Sequence, residues 1–362
     1  EFVATIPNRT RYSFLAGWLV LHAVYFGAFL LPIPPGHEYL LSMRPADFPA
    51  FILFTGIGLT FFRTIAYYHD RLRRHQPRMP VMDYLTYGTY LPQFPHGPIE
   101  RPHDALFKLQ NCRRFWTPRT LLRGIGRLSW GIFLFWLLWR AGPSLDALHR
   151  DHPTFVDKID VAKFFDAPQE IPAWVFLLLM FGMPAGLYYI ESAWAHIALG
   201  ISLCYGFLGE ESYKRPFLNM PSANFLWKHW NITLMHWLRD YVYAPLGAGK
   251  HRYRNTFINM TYCGLIHGPQ LRFLAWGAFV GATMSLGNWI AEKMRGNRKA
   301  LKWQENPQTP LDWTKYWIAT ALTMCWASIA VLIIADPEHC GTRTIPHFFR
   351  IIGQGIANLF EY

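Results

Sequence analysis

Charge is what this 362-residue chain has least of. Asp, Glu, Lys and Arg together make up 16% of it, against ~25% in an ordinary soluble domain. A water-facing surface of normal charge density is therefore not expected. Acidic residues are the scarcer kind, 23 against 35 Lys and Arg, for a formal net charge of +12. The five cysteines are too scattered for a disulfide framework. Cys204, Cys263 and Cys325 lie in apolar runs, Cys112 in a basic stretch, and only Cys340 in a segment expected outside the membrane. No Cys-x-x-Cys occurs. The fifteen histidines form no ligand boxes, since His69/His75, His149/His152 and His229/His236 lack the spacing that puts paired ligands on one helical face. No metal is expected. There is no internal repeat and no low-complexity tract. The N-terminus shows no cleavable signal pattern, and Glu1-Phe2 is set aside as a trimmed end or cloning scar.

Apolar residues are what is present, 52% of the chain, with 17% aromatic. Mean hydropathy is only slightly positive, so these residues are gathered in blocks. Candidate membrane spans are Tyr12–Leu31, Phe48–Tyr68, Leu121–Trp139, Ile171–Ile190, Ser192–Leu208, Thr256–Ile290 and Lys315–Ala335. Most approach the ~20 residues needed to cross a hydrocarbon core. The basic residues fall between them, at 69–75, 113–127, 250–254 and 293–302. Topology explains such charge better than nucleic-acid binding does. The positive-inside bias puts these connections in the cytoplasm, and the less basic Asp146–Glu170 and Asp336–His347 outside. The fold expected is all-α, a polytopic membrane bundle of about 8–11 spanning and re-entrant helices around a central cavity, in one domain over residues 1–362.

Several segments interrupt this pattern. Pro80, Pro92, Pro95, Pro98 and Pro102 forbid one continuous helix between Pro77 and Gln110, which predicts a re-entrant or interfacial segment, or else a surface loop. Phe107–Arg127 predicts a basic interfacial helix, and Pro184 predicts a kink. Phe225–Tyr243 predicts a helix too polar for lipid, carrying Asn231. The apolar run Thr256–Ile290 has basic flanks at both ends, so both ends are expected in the cytoplasm and the run must fold into a hairpin. Gly268-Pro269 is the natural break. His267 would then lie ~17 Å along a helix from Thr256, near the middle of a ~30 Å core.

A polar group at that depth is expensive, so a histidine and an asparagine placed this way suggest a reaction site. Imidazole is the usual group for removing a hydroxyl proton near neutral pH. Asn231 could orient that ring or donate to an oxyanion, or it could join two helices. Arg239-Asp240 reads first as a buried ion pair. Lys250, His251, Arg252 and Arg254 suit phosphates of a nucleotide-linked donor, acidic residues of a carrier protein, or a plain cytoplasmic loop. Cys263, four residues before His267, reads as packing.

Trp227-Lys228-His229-Trp230-Asn231-Ile232-Thr233-Leu234, followed by Trp237-Leu238-Arg239-Asp240-Tyr241-Val242-Tyr243-Ala244-Pro245-Leu246-Gly247, resembles a block of the membrane-bound O-acyltransferase family. Gly264-Leu265-Ile266-His267-Gly268 with Asn255 and Trp276-Gly277 is similar to that family's catalytic-histidine block. Leu91–Ile99 and Lys214-Arg215-Pro216-Phe217 resemble its upstream segments, so the likeness runs in order over about 84–280. It is greatest for the bacterial branch that O-acetylates alginate or peptidoglycan or D-alanylates teichoic acid.

The resemblance implies an O-acyltransferase in the bacterial cytoplasmic membrane, with His267 catalytic. Asn231 stands where many bacterial members carry a second histidine. Ile266 and Pro269 replace the more usual Trp and Ala. Trp230, Arg239, Asp240, Tyr241, Lys250 and Pro98 are the implied substrate- or donor-binding residues. The expected donor is an acyl-CoA or an acyl-carrier-protein thioester, and no tightly bound cofactor is expected. The acceptor is a hydroxyl of an extracytoplasmic glycan, with a periplasmic or carrier-protein partner and no nucleic acid. Transfer of D-alanine or a long acyl chain to an envelope polymer, lipid or protein is the alternative within the enzymes. A transporter or flippase is the alternative outside them, and would require inverted repeats, which the sequence does not show.

Overall fold

The computed structural model describes residues 16, 19–23, 48–73, 78–93, 97–141, 161–293, 302–336 and 340–360. Within these the chain is helical and contains no strand. Ten elements of seven or more residues follow in order: α1 Phe48–Arg73, α2 Val81–Gly88, α3 Pro102–Gln110, α4 Pro118–Ala141, α5 Ala173–Cys204, α6 Ile232–Leu238, α7 Arg252–Leu265, α8 Leu271–Lys293, α9 Pro310–Ala335 and α10 Thr344–Phe360.

Three of them, at Pro118–Leu138, Ala173–Cys204 and Pro310–Ala335, are long and apolar enough to cross a membrane. The first is telling, because only 11% of its apolar stretch is buried by the rest of the protein. Leu122, Ile125, Trp130, Ile132, Phe133, Trp136 and Leu137 are all exposed. An apolar surface of that extent is untenable in water and ordinary in lipid. The protein is an integral membrane protein.

Local chemistry explains where the helices begin. The basic helix predicted over Phe107–Arg127 is broken instead at Trp116-Thr117. The Thr117 amide donates to the Thr120 hydroxyl (2.7 Å) and the Thr120 amide to the Thr117 hydroxyl (3.1 Å), with Pro118 opening α4. This reciprocal cap satisfies amides that would otherwise be orphaned. Thr309 and Asp312 make a full capping box before α9. The separate spans predicted at Ile171–Ile190 and Ser192–Leu208 are one 32-residue helix, α5. No turn-forming residue separates them, and Pro184 is accommodated inside the helix. At 1.5 Å per residue α5 is ~48 Å long, more than a hydrocarbon core requires.

Backbone contacts group the chain into two compact units. The first holds residues up to 156 together with 189–214 and 231–245. In it α4 and the second half of α5 cross at glycines. A Cβ at Gly200 would lie 2.6 Å from the Leu128 amide nitrogen, and one at Gly131 2.8 Å from the Ala193 carbonyl. Such close backbone approach is how helices associate in lipid, where no hydrophobic force drives them together. The proline-rich segment breaks into α2, a single turn at Leu91–Gln93 and α3. Arg63 of α1, 1% exposed, holds these pieces. Its Nη1 donates to the Tyr87 carbonyl and its Nη2 to Gln93 Oε1, both at 2.8 Å. Irregular backbone is tolerable in such a place because buried groups satisfy it.

The second unit holds 157–188, 215–230 and 246–362. Phe164, Phe176, Met180, Leu332 and Phe348 form an apolar core there. Trp326 of α9 donates its indole N–H to the Thr283 hydroxyl of α8 (3.0 Å). The hairpin of α7 and α8 lies in this unit.

Candidate active site

The run Thr256–Ile290 folds as its flanking charges predict, into α7 and α8 joined at 266–270. Three glycines let the two helices touch. A Cβ at Gly264 would sit 2.2 Å from the Phe273 carbonyl oxygen, at Gly277 2.6 Å from the Met260 carbonyl, and at Gly281 2.8 Å from the Phe257 carbonyl. Gly277 and Gly281 are one helical turn apart, a spacing that brings membrane helices into backbone contact. The hairpin is therefore closed tightly just below its tip, and His267 is in the tip.

His267 is exposed and its ring is fixed. Its amide donates to the Gly264 carbonyl (2.9 Å), and its Nδ1 lies 2.7 Å from the Cys263 carbonyl oxygen. A carbonyl oxygen only accepts, so Nδ1 must carry the proton. In the neutral ring the lone pair is then on Nε2. Fixing one ring nitrogen to define the other is how proteins set a histidine as a base. Trp276 packs edge-on against the ring, centroids 5.4 Å apart, and Phe273 lies at 6.2 Å. Cys263 contributes its backbone, and its thiol is fully buried.

An aromatic row extends from the histidine. Trp276 meets Trp227 at 6.1 Å, Trp227 stacks on Trp230 at 5.8 Å, and Trp230 stands edge-on to Tyr188 at 5.4 Å. Trp230, a candidate from the sequence, thus belongs to the wall of rings that begins at His267. The Trp227 indole N–H is buried and makes no hydrogen bond among the described residues.

Asn231 belongs to the first unit and His267 to the second. The helix predicted over Phe225–Tyr243 is interrupted at Lys228–Asn231. Asn231 does not ride on a helix but precedes α6, with φ +43° and ψ +52°. Asparagine tolerates this left-handed region better than other residues with a Cβ. Its side chain makes no capping hydrogen bond. Beyond α6 the helix widens into a π turn over Arg239–Tyr243, where the Ala244 amide reaches the Arg239 carbonyl (2.8 Å). Such turns re-aim side chains and concentrate at functional sites.

Arg239, Asp240 and Tyr241 are brought together on that turn. The Asp240 carboxylate accepts from Arg239 Nε (2.7 Å) and, on its other oxygen, from Arg101. Burial alone would push this carboxyl up, but the hydrogen bonds and charges of the two arginines outweigh it and hold it below the usual carboxylate range. Arg239 itself is exposed, so the buried Arg239–Asp240 pair expected from the sequence is instead an Arg101–Asp240 pair with Arg239 on its rim. Tyr241 is buried and donates to Asp70 (3.0 Å). Spacing along the chain gave no signal for Arg101 or Asp70, which lie 139 and 171 residues from their partners. Pro98 is buried in the first unit, with its carbonyl 3.4 Å from Arg63 Nη2. Lys250 is exposed on the turn before α7. That turn is tied down by Asn255, which is buried and donates to the Leu246 (3.0 Å) and Ala248 (2.8 Å) carbonyls. Among the described residues no three His, Cys, Asp or Glu side chains are grouped as metal ligands.

These features define a class: a helical membrane protein whose base-competent histidine sits at the tip of a tightly closed hairpin. Residues 64–329 match the membrane-bound O-acyltransferase family, and the chain belongs to that family. It is 29% identical over 285 residues to the probable alginate O-acetylase AlgI of Pseudomonas putida, covering 75% of this chain and 51% of that protein. To the peptidoglycan O-acetyltransferase of Helicobacter pylori it is 26% identical over 211 residues, 57% of this chain and 37% of that protein. To the teichoic acid D-alanyltransferase of Streptococcus thermophilus it is 23% identical over 306 residues, 80% and 70% respectively. The chain spans about half the length of the alginate-type relatives.

Proposed function

We propose that this protein transfers an acyl group, acetyl in the first place, from a thioester to a hydroxyl of a glycan outside the cytoplasmic membrane of a bacterium. The observation that carries the chemistry is the His267 ring, whose Nδ1 proton is directed to the Cys263 carbonyl, which puts the lone pair of the neutral ring on Nε2. Nε2 takes the proton of the acceptor hydroxyl. The alkoxide oxygen attacks the thioester carbonyl, a C–O bond forms and the C–S bond breaks. The proton then passes to the departing sulfur, so the imidazole is regenerated. General base catalysis of this kind supplies ~10²–10⁴-fold, and orientation in a water-poor site supplies more. Asn231 is assigned to the oxyanion or to the acceptor, because its side chain is not spent on capping α6. Lys250 and its basic neighbours suit the phosphates of coenzyme A or an acidic carrier protein.

The glycan assignment rests on the alginate- and peptidoglycan-modifying relatives, both O-acetyl transferases by name. D-Alanyl transfer is the second reading, favoured by the teichoic-acid relative, of which the chain covers 70%. Membrane vesicles containing the protein, supplied with acetyl-labelled coenzyme A on the cytoplasmic side, should form a base-labile ester on glycan at the opposite side. Label that enters no ester, while a D-alanyl carrier thioester is consumed, would move the assignment to D-alanylation.

A further inference from the structure

A cavity of about 460 Å³ lies in the first unit, between α4 and the second half of α5. Its volume is in the ~300–1,000 Å³ range of ligand sites. None of its lining residues belongs to the histidine hairpin. Leu199, Leu203 and Leu208 make an apolar wall, and Arg123, Arg127 and Glu211 supply charge. Arg127 is spent, since both of its terminal nitrogens donate to the Glu211 carboxylate. Arg123, one helical turn earlier, has no hydrogen bond or ion pair among the described residues. Two guanidiniums against one carboxylate leave one positive charge unanswered. Two further polar atoms in the lining, Arg127 Nε and His196 Nδ1, are buried without partners among the described residues. Arg127 Nε can only donate, and a buried donor left in that condition points to an absent acceptor.

Position narrows the chemistry. Arg123 lies ~7.5 Å and Arg127 ~13.5 Å along α4 from Pro118. That end of α4 continues the basic stretch Arg113, Arg114 and Arg119, which the positive-inside bias places in the cytoplasm. The exposed face of the same helix is the apolar, lipid-facing one. A basic pocket between spanning helices near the cytoplasmic interface, open beside an apolar face, is suited to a lipid head group. We infer that this cavity binds an anionic phospholipid, with the phosphodiester at Arg123 and Arg127 Nε and an acyl chain along Leu199, Leu203 and Leu208. One phosphodiester carries the single negative charge the cavity lacks. The site is independent of the acyl-transfer reading.

Delipidated protein in detergent is offered dioleoyl-phosphatidylglycerol and dioleoyl-phosphatidylcholine together, and retained lipid is counted by native mass spectrometry. One phosphatidylglycerol should be held in preference. Arg123→Gln, at an exposed residue without partners, should fold normally and weaken that retention about tenfold, the worth of one charge-assisted contact. Leu203→Trp, which fills the apolar wall, should weaken it as well, and Lys250→Gln should leave it unchanged. Equal retention of the two lipids, or retention unaffected by both Arg123→Gln and Leu203→Trp, would overturn the inference. Displacement by inorganic phosphate at a similar concentration would reduce the cavity to a bare anion site. Displacement by coenzyme A would give it to a phosphate-bearing donor. Either displacement refutes the lipid assignment.

Discussion

Replacing Gly264 by alanine adds one methyl group to the protein at the place where the hairpin is tightest. The new Cβ would lie 2.2 Å from the Phe273 carbonyl oxygen and 3.0 Å from the Gly277 Cα. Both neighbours are backbone, so no side chain can swing aside. Comfortable contact requires ~3.5 Å, so α7 and α8 must separate by roughly 1 Å. Overpacking of this kind costs ~1–3 kcal/mol. The chemical consequence is larger, because His267 hangs three residues further on and its amide donates to the Gly264 carbonyl itself. A misplacement of ~1 Å costs ~10²-fold in rate. The assay is acyl transfer by purified protein at saturating donor, beside thermal unfolding in the same detergent. Gly264→Ala should be modestly less stable and severely slowed. Gly249→Ala, with nothing within 4 Å of its Cβ, should match the parent in both. A Gly264→Ala protein of unchanged rate would show that the hairpin does not position the reacting histidine.

Other expectations follow from the same geometry. Asn231→Gly relieves the left-handed backbone while removing the amide, and Asn231→Ala removes the amide and adds ~1 kcal/mol of strain. If the side chain acts in transfer, both should be slow and only the alanine variant less stable, and a fast glycine variant would make the role structural. The folded pKa of Asp240 is lowered, so its contribution to stability is complete above the ordinary carboxylate range near ~4 and is lost as pH falls through the lower folded value. Thermal unfolding followed from pH 7 to pH 3 should show an acid-side loss that Asp240→Asn makes smaller, and identical profiles would contradict the pairing. Asn255→Ala removes two hydrogen bonds from the 246–248 turn and should cost ~1–3 kcal/mol, with faster proteolysis at Lys250 as the readout.

The sequence announced long apolar helices because their pattern needs no partner to be seen; α4 keeps near its predicted limits, while α1 runs on to Arg73 and α9 starts at Pro310, each more than a helical turn beyond its predicted end. It announced the hairpin as well, since basic flanks on both sides of one apolar run admit no other path. Helix ends decided by a few hydrogen bonds were less visible. The cap formed by Thr117 and Thr120 cut a predicted helix in two, and the left-handed φ at Asn231 ended another. The two predicted spans are one helix, α5, because only the charge of Glu191 divided them in the sequence, and a single carboxylate with no turn-forming neighbour does not break a helix. The place of His267 at the tip of the hairpin was legible from the Gly268-Pro269 break. Its tautomer was not, because that depends on a backbone carbonyl. Arg101 and Asp70 were invisible because folding alone brings them to Asp240 and Tyr241.

In the proposed reaction the lone pair on His267 Nε2 accepts the proton of the acceptor hydroxyl. His267→Gln keeps a side-chain donor for the Cys263 carbonyl and removes the base. Single-turnover transfer by this variant, measured at bound donor and saturating acceptor, should fall ~10²–10⁴-fold while donor affinity is unchanged. A variant that transfers acyl groups at the parent rate would contradict the account.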